Sequence, residues 1–102
     1  MKNQKKRVFQ VYSDCGHSWI KVKFQTLLDL DIWEKITPYS YTRNGHVYLE
    51  EDCDAATLID ALRKKGIEPY WKVSHTNKQS KIRSYSRYIP PVALNGTHYF
   101  YV

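Results

Sequence analysis

Alternating apolar and polar positions mark two strands at the start of the chain. Residues 7–12, RVFQVY, are β-branched and aromatic. Residues 18–24 alternate, with Ile20, Val22 and Phe24 on one side, Lys21 and Lys23 on the other, and Trp19 off the apolar face. A half-buried strand has this period of two. The intervening Ser13-Asp14-Cys15-Gly16-His17, with Gly16 available for positive φ, predicts a turn and an antiparallel hairpin. Phe24, Leu27 and Leu28 then recur at helical spacing and predict a short helix over about 24–30. Ile32, Trp33 and Ile36 are core candidates before Thr37-Pro38 breaks the chain.

Residues 39–50 carry the clearest local signal. Asn44-Gly45 suits a two-residue type I′ turn, which needs positive φ at both central positions. That loop sets Arg43 opposite His46, Thr42 opposite Val47, Tyr41 opposite Tyr48 and Ser40 opposite Leu49. One face then shows Tyr39, Tyr41, Arg43, His46 and Tyr48, and the other Val47 and Leu49. Such an aromatic–basic face is either a packing surface or a binding platform.

The acids Glu50-Glu51-Asp52-Cys53-Asp54 precede a helical stripe of Ala55, Leu58, Ile59 and Leu62. The main helix is predicted over about 54–65, with Asp52 or Asp54 as N-cap, Arg63-Lys64-Lys65 in the last turn and Gly66 closing it. Residues 67–73 return as a strand in which Pro69 favours an edge position or a bulge near its start, completing a β-α-β unit with strand 46–50. Residues 82–88 also alternate like a strand, ended by Pro90-Pro91. Residues 90–102 form a β-prone C-terminal extension whose His98-Tyr99-Phe100-Tyr101-Val102 either adds to the sheet or pairs with a second subunit. The expected architecture is one α+β domain, 1–102: a mixed, mostly antiparallel sheet of five to six strands with one main and one short helix.

Charge narrows the class of partner. The net charge is +6, which favours anions: nucleic acid, nucleotides or an acidic protein face. The basic residues gather in 72–88, KVSHTNKQSKIRSYSRY, which holds Lys72, Lys78, Lys81, Arg83 and Arg87 and no acid. Cations attract phosphate, the hydroxyls and amides between them hydrogen-bond its oxygens, and tyrosine rings stack on bases. The expected ligand-binding set is Lys81 and Arg83 as phosphate clamps, Arg87 and His75 assisting, and Tyr85, Tyr41 or Tyr48 stacking a base. The competing explanation is a solvated loop and edge strand on a basic protein.

Other chemistries find weaker support. No apolar run approaches a transmembrane span, and the start MKNQKKRVFQVY has no apolar signal segment, so a cytoplasmic protein is expected. Cys15 and Cys53 each follow an aspartate, which raises a thiol's pKa, and both are read as free thiols with a structural role. Cys15, His17, His46 and Cys53 lack the paired spacings of a structural zinc site. The acidic cluster reads as capping rather than as a Mg²⁺ site. No phosphate-binding glycine loop, nucleophile elbow or zinc-protease motif is present. Neither a cofactor nor a catalytic residue is assigned. A metal-independent ribonuclease drawing on His75, His17, Lys81, Arg83 and Tyr85 is an alternative.

Gly16-His17-Ser18-Trp19, Ser40-Tyr41, Tyr48-Leu49-Glu50-Glu51-Asp52-Cys53-Asp54, the helix and the His75-Thr76-Asn77…Ser80-Lys81-Ile82-Arg83-Ser84-Tyr85 segment carry a resemblance. Over roughly residues 9–88 they resemble small, largely uncharacterised accessory proteins of phages, prophages and other mobile elements. The resemblance implies a bacterial host cytoplasm and action by binding, and it carries no functional residue across. It favours a non-enzymatic binder of a nucleotide or nucleic acid that counters host defence, with a protein–protein inhibitor of a host protein as a rival. A homodimer is the default assembly.

Overall fold

Strand β1, Lys5–Ser13, is flanked on both sides, antiparallel by β2, Ser18–Lys23, and parallel by β5, Ile67–His75. The computed structural model describes residues 5–90, so the expected C-terminal strand lies outside the described residues. Between β2 and β5 come α1, Phe24–Asp29, a 3₁₀ turn at Trp33–Lys35, β3, Tyr41–Arg43, β4, His46–Glu50, and α2, Ala55–Lys64. A second 3₁₀ turn, Lys81–Ser84, and β6, Ser86–Arg87, complete the elements. The six strands form one sheet in the order β5-β1-β2-β4-β3-β6, with β1–β5 its parallel pairing.

The hairpin forms as its turn chemistry requires. Tyr41 faces Tyr48, Thr42 faces Val47 and Arg43 faces His46, with φ of 52° at Asn44 and 79° at Gly45. Strands β4 and β5 do share the sheet across α2, but β2 and β1 lie between them. Pro69 sits on β5, which has β1 as its one partner among the described strands. The bonds Lys5 N–H to Gly66 O and Thr76 N–H to Ser13 O bracket β5 and turn its even-numbered backbone groups toward β1. The position of Pro69, which lacks an N–H, therefore falls on the open side.

The period of two separates the sheet's faces. Phe9, Val11, Ile20, Val22, Val47 and Leu49 form one core with Leu27, Ile32, Ile36, Leu58, Leu62 and Tyr88. Both helices lie on this face. The Tyr88 hydroxyl donates to the Trp33 carbonyl, tying β6 to the first 3₁₀ turn. On the opposite face Trp19, Tyr48 and Ile82 are buried, with Tyr12, Tyr41 and Tyr85 packed against them. The chain between β5 and β6 covers only part of this second face.

Three local expectations are corrected. Residues 82–88 do not form a strand throughout: the Ser80 side chain accepts the Ile82 N–H and starts a 3₁₀ turn, leaving Ser86–Arg87 as strand. Asp54 stands at the N-cap position of α2, but its carboxylate makes no capping bond. It instead accepts from the Thr37 N–H and Thr37 and Ser40 hydroxyls, fixing the bend before β3. Finally, Cys15 and Cys53 are free thiols but exposed, so neither is a core residue.

Candidate functional site

The aromatic second face carries two clefts, one on each side of the Lys81–Ser84 turn. Asp14 fixes that turn. Its side chain is fully covered and accepts from the Gly16, His17 and Ser80 N–H groups. The Arg83 guanidinium closes on it as a fork, Nε to Oδ2 at 2.7 Å and Nη2 to Oδ1 at 2.9 Å. Arg83 first, then the backbone donors, hold this carboxyl far below the usual carboxylate range. Gly16 has no positive φ; a Cβ there would lie 2.9 Å from Arg83 Nη2, so a larger residue would displace the end of the guanidinium.

The first cleft, about 250 Å³, is lined by Tyr12, Lys21, Tyr48, Ser80, Lys81, Ile82 and Tyr85. Tyr48 is its buried floor, with half-buried Tyr12 and Tyr85 beside it. The Tyr85 ring meets Tyr48 edge-on at 5.1 Å, and Tyr12 lies 6.4 Å from Tyr48. The Arg43 guanidinium lies 5.1 Å from the Tyr85 centroid. Burial, with Tyr85 and Tyr12 nearby, pushes the Tyr48 hydroxyl above its ordinary pKa, so it remains a neutral donor. Two lysines and three tyrosines line this cleft, and among the described residues no carboxylate does.

The second cleft is larger, about 410 Å³, and its charge is mixed. His17, Trp19, Tyr39, Tyr41, Glu50, Asp52, Cys53, Arg83 and Arg87 line it. His17 Nδ1 lies 3.1 Å from Glu50 Oε2, while Glu50 Oε1 accepts the Asp52 and Cys53 N–H groups. Ligand atoms of His17, Glu50, Glu51 and Asp52 lie within 4.8 Å of one another. Both Glu50 oxygens already have partners, which makes Glu50 the organiser of the 51–54 turn. Desolvation, then Glu50, raise the Cys53 thiol's pKa and make it a poor nucleophile. Arg87 stacks 4.8 Å over Tyr41 and donates to the Pro38 carbonyl. Trp19 Nε1 is buried without a partner among the described residues.

The seven residues expected to bind ligand are thus divided. Lys81, Tyr85 and Tyr48 meet in the first cleft, and Tyr41, Arg83 and Arg87 in the second. His75 lines neither; it ends β5, bonded to Ser13 Oγ at 2.7 Å and to Asn77 at 3.2 Å. Arg83 is committed to Asp14, a role its place in a basic run did not disclose. The residues of the ribonuclease alternative are not assembled, since His17 and Arg83 face the second cleft while Lys81 and Tyr85 face the first. Ser80, one of the hydroxyls of the 72–88 segment, lines the first cleft, whereas Lys21 and Tyr12 were not among the expected site residues. The alternation of β2 did turn Lys21 away from the core, but its neighbours there come from residues 80–85, which adjacency in sequence does not reveal.

No protein-family model, curated protein or solved structure matches this chain.

Proposed function

We propose that this chain is a non-enzymatic binding protein whose ligand is a phosphate-bearing base, a nucleotide or a nucleic acid, held in the tyrosine cleft. The carrying observation is that Lys21 and Lys81 line one cleft with Tyr12, Tyr48 and Tyr85, and that no carboxylate among the described residues lines it. In this reading the ammonium groups meet phosphate, and Tyr85 or Tyr12 stacks the base over the Tyr48 floor. The second cleft suits an anion less well. Asp14 neutralises Arg83, and Glu50 and Asp52 are among the residues that line this cleft. Tyr41, Arg87 and Arg83 therefore support the fold around the ligand, and His75 stands outside the site.

The resemblance to phage and mobile-element accessory proteins supports a setting in the bacterial host cytoplasm and a task such as removing a defence signal. Among the described residues no helix is long and apolar enough to cross a membrane. A second reading, docking on a host defence protein, draws on the exposed Trp71 and Val73 of β5 and on Ile89.

Calorimetric titration with mononucleotides and cyclic nucleotides tests the cleft. Lys21→Ala/Lys81→Ala is expected to abolish binding while thermal unfolding stays cooperative, because neither ammonium has a structural hydrogen bond or ion pair among those described. Unchanged affinity in that variant overturns the assignment. Arg83→Ala is the wrong probe, because it strands a covered Asp14 carboxylate and disturbs the fold.

A further inference from the structure

The part of the second face left uncovered by residues 76–85 continues directly from the tyrosine cleft. Its side chains follow from the strand registers. Gln10 pairs with Lys21 on one side and Lys72 on the other, and Lys21 pairs with Tyr48. One row across the sheet therefore runs Lys72, Gln10, Lys21, Tyr48. On the next row Val8 pairs with Tyr70, Lys23 with His46 and His46 with Arg43. Val8, Lys23 and His46 line a common shallow depression. Among the described residues no carboxylate stands on either row.

The face also offers rings. Tyr70 is 46% exposed, Val8 beside it is 66% exposed, and the Lys6 ammonium lies 5.5 Å from the Tyr70 centroid. Tyr85, with Arg43 over it, stands near the other end. From β5 to β4 is three inter-strand steps, about 14 Å at the usual strand spacing. That span exceeds a mononucleotide and matches a few linked ones. Glu68, on the row beyond Tyr70, is bridged by Arg63.

We infer that the ligand of the tyrosine cleft is a single-stranded nucleic acid, which leaves the cleft and crosses the open sheet face to Tyr70 and Lys72. The inference rests on the nucleotide reading of that cleft and extends it. Lysines spaced along both rows follow a phosphate backbone, and rings at both ends stack bases whose faces are uncovered. A duplex keeps its base faces stacked internally and cannot use those rings. Every base has a π-face, so recognition is broad in sequence.

Fluorescence anisotropy with labelled oligothymidylate and oligouridylate tests this, using dinucleotides and octanucleotides against the whole chain. The octanucleotide is expected to bind at least about tenfold more tightly than the dinucleotide, with log K falling by about 0.7 per phosphate contact for each unit of log salt. Lys6→Ala/Lys72→Ala removes exposed side chains at the far end. It should weaken the octanucleotide roughly tenfold and leave the dinucleotide unchanged. Tyr70→Ala should act in the same direction. Lys21→Ala/Lys81→Ala should weaken both lengths. Equal affinity for the two lengths, or an octanucleotide indifferent to the far-end changes, overturns the inference while leaving the cleft's nucleotide reading intact. A duplex competing as well as the single strand also overturns it. If neither length nor any mononucleotide binds, the underlying reading falls with it.

Discussion

The Asp14 carboxylate accepts from three backbone N–H groups and a forked guanidinium, and so fixes the turn that separates the two clefts. Its depressed pKa gives a pH signature. The charged form is favoured in the folded state, so this stabilisation is complete above the unfolded carboxyl's ordinary value of 3.8. It is lost as pH falls from there through the lower folded value. Thermal melts of Asp14→Asn should show lower stability at neutral pH and a shallower decline below about pH 4 than the native chain. Parallel acid curves would contradict the role given to Asp14. Asp54 makes a second residue-scale case. Asp54→Ser keeps a good N-cap residue but cannot reach both Thr37 and Ser40, so urea unfolding should show a loss of about 1–3 kcal/mol. A neutral change would contradict the anchoring role given to Asp54.

Among the elements, α2 is held by two side chains with no exposed surface, Leu58 and Leu62, against the helix-side core. Leu58→Ala should cost about 2–5 kcal/mol in urea unfolding, and Ala56→Ser on the exposed side almost nothing. Elements of this kind were legible in the sequence because their signals are local. Leu58 and Leu62 recur at helical spacing, Asn44-Gly45 sets its own register, and Ile20 and Val22 alternate. The Lys81–Ser84 turn was not legible. Its sequence alternates like a strand; Ser80 starts the turn locally, and Asp14, more than sixty residues earlier, holds it through the Ser80 N–H and Arg83. Asp54 misled for a related reason: acids before a helix suit capping, and only the fold brings Thr37 and Ser40 within reach.

For the whole molecule, the sheet puts its helices on one face and gathers tyrosine and lysine on the other. The α+β class and the mostly antiparallel sheet followed from pattern, but the strand order did not, because β1 joins β5 to β2 across half the chain. The site was legible to the same degree. Lys81, Tyr85 and Tyr48 were named from composition and meet in one cleft, whereas Lys21 and Tyr12 enter only through the sheet. Arg83 was named for its charge and proves to be held by Asp14. In the proposed function the tyrosine cleft, rather than the larger one beside it, receives the ligand. Backbone amide NMR shifts of the labelled chain, titrated with adenosine and then uridine 5′-monophosphate, test it most directly. Binding in the tyrosine cleft should give shifts centred on Tyr12, Lys21, Tyr48, Lys81 and Tyr85. Shifts centred on His17, Glu50 and Cys53, or no shifts with either nucleotide, would contradict it.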